Sequence, residues 1–223
     1  MNISHKRRWI YVAINKSGSS SMGSYLRNYS DENFLGPKKD KALGHHSKIK
    51  QARDYLLAKG FDFDKYFIFT VVRNPWSREF SMFNYRRKRY DLLIASNAFS
   101  RLSRSRQNKL KSANKYANFK SYFLDKVERS DLSDSPRRFL TIDGEVKVDC
   151  ALKLENIDDS LHVLSQRTGI IPGEFPRNNS RDDERVKLNS IYDDEMIAAS
   201  LKLFEWEIKK FNYTFDDCCD IKV

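Results

Sequence analysis

Residues 66–72, YFIFTVV, are apolar on both faces of an extended chain. Such a strand has to be covered on both sides, as a central strand of a parallel sheet is covered by helices. The run passes straight into RNPWSREFSMF. There Asn74 is placed to cap a helix that Pro75 begins, and Trp76, Phe80 and Phe83 form its apolar face. Residues 8–14, RWIYVAI, repeat the pattern: a buried strand, a small-residue loop, then Met22, Tyr25, Leu26 and Tyr29 at helical spacing. ALKLE at 151–155 reads as a further strand, followed by a helix near 157–167. Strands alternating with helices predict an α/β fold: a P-loop-like three-layer domain with a central, mostly parallel sheet flanked by helices.

Residues 97–128 read as mostly helical and basic, and 172–182 as a loop. Ile197, Leu201, Phe204, Ile208 and Phe211 mark an amphipathic closing helix. A length of 223 residues suits one domain over 1–223, with a sizeable core. No apolar stretch approaches the roughly 18 residues of a membrane span, and the first residues lack a signal-peptide pattern. The three cysteines, Cys150, Cys218 and Cys219, offer neither a disulfide framework nor zinc spacing, so no metal and a cytoplasmic setting are expected. The net charge is +11, and residues 86–129 hold thirteen lysines and arginines against three acids. Such a block suits an anionic partner (nucleic acid, acidic glycan, anionic lipid or a phosphorylated cofactor), or it is a solvated helical face.

INKSGSSSMGSYL, residues 14–26, stands where such sheets bind ligands, at the carboxyl end of a strand. Small residues let a phosphate approach backbone N–H groups, Gly18 relieves backbone strain, and Ser17, Ser19, Ser20 and Ser21 add hydroxyls. Lys16 supplies a point charge. The nucleoside-triphosphate P-loop fits poorly, because its lysine comes last and here it comes first. A flexible serine-rich turn is the bland alternative. Arg73 leaves the second buried strand, while Ser77 and Ser81 share a helical face away from the Trp76 stripe. An arginine fork with a hydroxyl makes a phosphate receptor, unless the arginine merely caps carbonyls.

INKSGSSS resembles the 5′-phosphosulfate loop of sulfotransferases that use PAPS, the adenosine phosphosulfate donor. VVRNPWSREFSMF resembles their 3′-phosphate motif. ALKLENIDDSLHVLSQRTGI and LFEWEIKKFNYTF are similar to further family segments, so the resemblance covers roughly residues 9–215, closest to the carbohydrate branch and its bacterial relatives. The resemblance implies PAPS as cofactor and PAP as product. Lys16 would contact the 5′-phosphate and the bridging oxygen, with Ser17, Gly18, Ser19, Ser20 and Ser21 around that phosphate. Arg73 and Ser81 would hold the 3′-phosphate. Asn179, Ser180 and Arg181 fall where the family often closes over the nucleotide. Asn15 departs from the proline common in related loops, which affects loop stiffness.

Sulfuryl transfer to a hydroxyl needs charge stabilisation at the leaving oxygen, a task for Lys16, and a general base. His5 falls in a terminus expected to fray, and His162 in an ordinary helix. His45 and His46, in GHHS, remain the candidates, with His45 slightly ahead; several glycan 2-O-sulfotransferases resemble this arrangement. Glu32 and Asp40 are carboxylate alternatives. The expected partner is a carbohydrate or other hydroxyl acceptor, an anionic one suiting the basic helices, and no nucleic acid is expected. Two rival readings are a P-loop small-molecule kinase, which lacks an evident magnesium-binding hydroxyl after GK, and a basic nucleic-acid-binding module, which leaves the Lys16–Ser21 loop unexplained.

Overall fold

A computed structural model describes residues 1–34, 42–176, 185–186, 188–217 and 221–222. The chain runs through strands β1 (Asn2–Ser4) and β2 (Trp9–Val12), helix α1 (Ser19–Tyr25), strand β3 (Glu32–Asn33), helix α2 (Ile49–Ala58) and strand β4 (Phe67–Val72). Helices α3 (Pro75–Ala95), α4 (Arg104–Asn114), α5 (Phe119–Glu128) and α6 (Arg137–Leu140) follow. Strands β5 (Thr141–Ile142), β6 (Glu145–Val146) and β7 (Cys150–Lys153) lead to helix α7 (Ile157–Thr168). Strand β8 (Arg185–Val186), helices α8 (Asp194–Leu203) and α9 (Glu205–Phe211), and strand β9 (Ile221–Lys222) close the order. Contacts divide the chain into two compact units, Met1–Arg73 with Ser133–Ser180, and Asn74–Leu132 with Arg181–Val223.

The first unit is built on a five-stranded sheet in the order β3-β1-β2-β4-β7. Its three core strands are parallel, with Val12 opposite Thr70 and Val72 opposite Lys153, as the α/β reading predicts. Trp9, Tyr11, Phe69, Val71 and Leu152 meet Met22 and Leu26 of the α1 segment and Leu161 and Leu164 of α7. Ile10, Val12 and Val72, pointing the other way, are buried as well. That two-sided burial is why these strands read as unbroken apolar runs.

The sheet is mixed, because β1 runs antiparallel to both β2 and β3. The amino-terminal segment is therefore ordered where fraying is expected. Ile3 is fully buried, and His5 sits between the Tyr66 hydroxyl (2.7 Å) and Glu32 Oε1 (2.9 Å), stacked on Phe61. Three residues are too few for a strand pattern; pairing on two edges holds β1 in place.

In the second unit Asn74 Oδ1 accepts the N–H groups of Trp76 and Ser77, and Pro75 opens α3, as the sequence predicts. The first turns of α3 are buried all round. Trp76 Nε1 donates to Ser200 Oγ at 2.6 Å, and the Arg78 guanidinium grips Glu207 at 2.8 Å. Glu79 accepts from Lys126 at 2.6 Å and from the Tyr122 hydroxyl at 3.0 Å. Ser77 is fully buried, so it does not share an open face with the half-buried Ser81.

These polar partners also turn the C-terminal helices. The predicted single helix breaks at Phe204 into α8 and α9. Its buried stripe is Met196, Ser200, Leu203 and Glu207, one position away from the predicted stripe of Ile197, Leu201, Phe204, Ile208 and Phe211, of which Phe204 alone is buried. Leu201 is 53% exposed. Ser200 on α8 faces Trp76 and Glu207 on α9 faces Arg78, and a buried polar group without its partner costs more than one exposed aliphatic side chain.

Candidate active site

The site grows from the parallel register of β2 and β4. With Val12 beside Thr70, the segments after the two strands leave one edge of the sheet together. Arg73, the first residue past β4, then reaches the loop after β2, and its Nη1 donates to the Lys16 carbonyl at 3.3 Å. Lys16 adopts φ 62° and Gly18 φ 68°, so two left-handed residues bracket Ser17. For lysine that conformation is unfavourable by about 1 kcal/mol or more. For Gly18 it is free, and a side chain there would also collide with Leu154 Cδ1, 2.7 Å from a Cβ.

The loop buries serine hydroxyls, one of which its own chain leaves unsatisfied. Ser17 is fully buried and its hydroxyl has no hydrogen-bond partner. Ser19 and Ser21 are buried and Ser20 half-buried, and Gly18 brings no side chain to cap the first turn of α1. A buried orphan hydroxyl costs stability and marks a place where a ligand oxygen would complete the network. Burial, helped by the neighbouring Arg73 charge, pushes the Lys16 ammonium down to about 8. Two cations thus crowd one loop at a cost that an anion would relieve.

The histidine pair flanks the same loop. Residues 44–47 form a tight turn in which Gly44 N donates to Ser47 Oγ at 2.7 Å, and the Met1 amino group donates to the His45 carbonyl at 2.5 Å. The two imidazoles stack at 4.2 Å. His46 Nδ1 lies 3.0 Å from the Ala13 carbonyl, at the start of the loop. A carbonyl can only accept, so Nδ1 carries the proton and Nε2 the basic lone pair. Burial lowers His46 below the ordinary histidine range, with the Ala13 carbonyl opposing the shift. Burial, then the His46 and amino-terminal charges, push His45 down to about 3, and its Nε2 is buried without a partner. Both rings are therefore neutral near pH 7.

The remaining candidates fall elsewhere. Glu32 takes hydrogen bonds from Tyr55 (2.6 Å) and Lys59 (3.0 Å) and contacts His5. Burial would raise its carboxyl, but these bonds win and hold it below its usual range, which makes it a poor base. His162 is exposed on α7. Ser81 belongs to the second unit. Asn179, Ser180, Arg181 and Asp40 lie outside the described residues, as do Cys218 and Cys219. Among the described residues no group of three or more His, Cys, Asp or Glu is placed to hold a metal. The sequence reading missed the Ala13 carbonyl as the group that orients His46. A backbone acceptor contributed by an alanine leaves no residue-type signal.

Comparison with known protein families matches residues 1–214 to the Sulfotransferase family. No significant match is found among curated proteins or solved structures.

Proposed function

Because this chain belongs to the sulfotransferase family, we propose that the loop between β2 and α1 is its PAPS site and that the acceptor is a carbohydrate hydroxyl. Membership carries PAPS-dependent sulfuryl transfer with it; the residue roles and the acceptor are our reading. The observation that supports them best is the buried, unpartnered Ser17 hydroxyl, held between two left-handed residues beside the adjoining Lys16 and Arg73. That chemistry fits a phosphate: hydroxyl donors, close backbone approach and two neighbouring cations.

When bound, PAPS supplies an activated sulfuryl group whose leaving oxygen is a phosphate oxygen. Ser17, Gly18, Ser19, Ser20 and Ser21 would hold the 5′-phosphate, and Lys16 would stabilise the charge that grows on the bridging oxygen. Arg73, from its position against the Lys16 carbonyl, would bind the 3′-phosphate; Ser81 is assigned to it on the family resemblance alone. His46 takes the acceptor proton on Nε2, since Ala13 already engages Nδ1. His45 stacks on that ring, and in our reading the Ala13 contact puts His46 ahead of it, which reverses the order of preference drawn from the sequence. With both histidines below their ordinary range, the acid limb of the pH–rate profile should lie below the usual pKa of about 6.5.

Thermal unfolding with PAP, AMP and ATP tests the site. PAP should raise Tm while AMP and ATP do little, and equal stabilisation by ATP would refute the 3′-phosphate assignment. Lys16→Ala should lower kcat by two to three orders of magnitude, about the loss of one preorganised transition-state contact. His46→Ala should lower kcat and leave PAP affinity intact. A fully active His46→Ala with an unchanged pH profile would remove His46 as base.

A further inference from the structure

The second unit carries a feature to which the proposed PAPS site assigns no role. From Asp91 to Asn97, at the end of α3, only Leu93 is buried. Leu92 is 61% and Ile94 47% exposed. Two residues apart on a helix, they lie on opposite flanks of the buried Leu93, so both sides of this last turn present an aliphatic side chain to solvent. The chain continues through a short turn at Phe99–Arg101 into α4, which packs back on α3. Phe99 joins the two helices, its ring edge-on to Tyr90 at 5.1 Å and covered by the Lys111 ammonium at 5.6 Å.

The same hairpin concentrates cations. Lys88, Arg89, Arg101, Arg104, Arg106 and Lys111 are all exposed, and Asp91 is the single acid between 88 and 111. Lys88 and Arg89 lie one turn before Leu92 on the same face of α3, so their long stems flank it while their charges reach outward. A soluble polyanion would be held by the cations alone and would leave both aliphatic side chains in water. An anionic bilayer takes both components, headgroups against the cations and the acyl boundary against Leu92 and Ile94. No helix among the described residues is long and apolar enough to cross a membrane, so the contact is peripheral.

We infer that the tip of the α3–α4 hairpin docks this protein onto an anionic lipid surface, with Leu92 and Ile94 inserted and the surrounding arginines and lysines on the headgroups. The inference is independent of the PAPS site, and its test needs no turnover. The full chain is sedimented with vesicles of phosphatidylcholine alone or with about one-third phosphatidylserine, at about 0.1 M salt. Binding to the anionic vesicles and not the neutral ones is expected. Combined Arg101→Gln, Arg104→Gln and Arg106→Gln should lower the partition coefficient by about two orders of magnitude, at about fivefold per cation near the surface. Combined Leu92→Ser and Ile94→Ser should lower it at least about tenfold, with retention on heparin and on single-stranded DNA unchanged. Leu92→Trp in the full chain should show a blue-shifted emission with anionic vesicles only, a readout that does not depend on the multiple variants folding. Absence of binding to anionic vesicles would overturn the inference, as would Leu92→Trp emission that does not move. So would binding that the glutamine variant loses and the serine variant keeps, which would make the tip a site for soluble polyanions.

Discussion

Raising the pH from 7 to 9 should weaken PAP binding by about tenfold, through one side chain. Burial and the adjacent Arg73 charge place the Lys16 ammonium at about 8 in the free protein. On the proposed site, phosphates at the loop would favour its charged form, so PAP would select molecules in which Lys16 is protonated. That fraction falls from about nine-tenths at pH 7 to about one-tenth at pH 9, whereas the phosphates of PAP stay ionised throughout. Binding at pH 8 should take up about half a proton per site. Titration calorimetry in two buffers of different ionisation enthalpy reads both quantities. Lys16→Arg keeps a permanent charge and should flatten the pH dependence. A wild-type Kd constant from pH 7 to 9, or an unchanged slope in Lys16→Arg, would refute the coupling of Lys16 to the phosphates. Stability of the free protein should move the opposite way. The folded pKa is depressed below the unfolded 10.5, so the penalty of the buried charge is complete below about 8 and fades as pH rises between the two values.

His45, pushed down to about 3 from an ordinary 6.5, should make the fold acid-sensitive: its contribution falls as pH drops from about 6.5, by at most about 1.4 kcal/mol per pH unit. Urea unfolding at pH 7 and 5 should show that loss reduced in His45→Gln, and an equal loss in both proteins would contradict the assignment. Gly18→Ala places a Cβ at φ 68° and 2.7 Å from Leu154 Cδ1, and should cost about 1–2 kcal/mol while weakening PAP binding. Adding Leu154→Ala should recover only the steric part, and a change of a few tenths in the single variant would show that the loop relaxes freely. Arg78→Met removes the guanidinium that grips the buried Glu207, whose carboxyl burial already raises, and should cost about 3–5 kcal/mol. The double variant Arg78→Met with Glu207→Leu should regain most of it; urea unfolding that shows no recovery would mean the pair does not act as a unit.

Much of the frame was legible locally. The strands at 67–72 and 150–153 and the buried strand within 8–14 announce themselves because two-sided burial demands unbroken apolar runs. Asn74 with Pro75 marks a helix start because the capping geometry needs only neighbours in sequence. The clustering of Lys16, Gly18 and the serines is legible for the same reason, since one short loop holds them all. The antiparallel edge of the sheet was not legible, because β1 and β3 are too short to show a period and exist through their pairing. Nor was the buried face of α8 and α9, where Ser200 meets Trp76 and Glu207 meets Arg78, each more than a hundred residues away, and Leu201 is left exposed. The protonation of the site belongs with these. Lys16 is lowered by burial and then by Arg73 across a strand pairing, and His46 is oriented by the Ala13 carbonyl across thirty-three residues. Residue type supplies the groups, and local spacing supplies the elements that carry them. Charge state and tautomer depend on burial and on partners distant in sequence, and those come into being only when the chain closes.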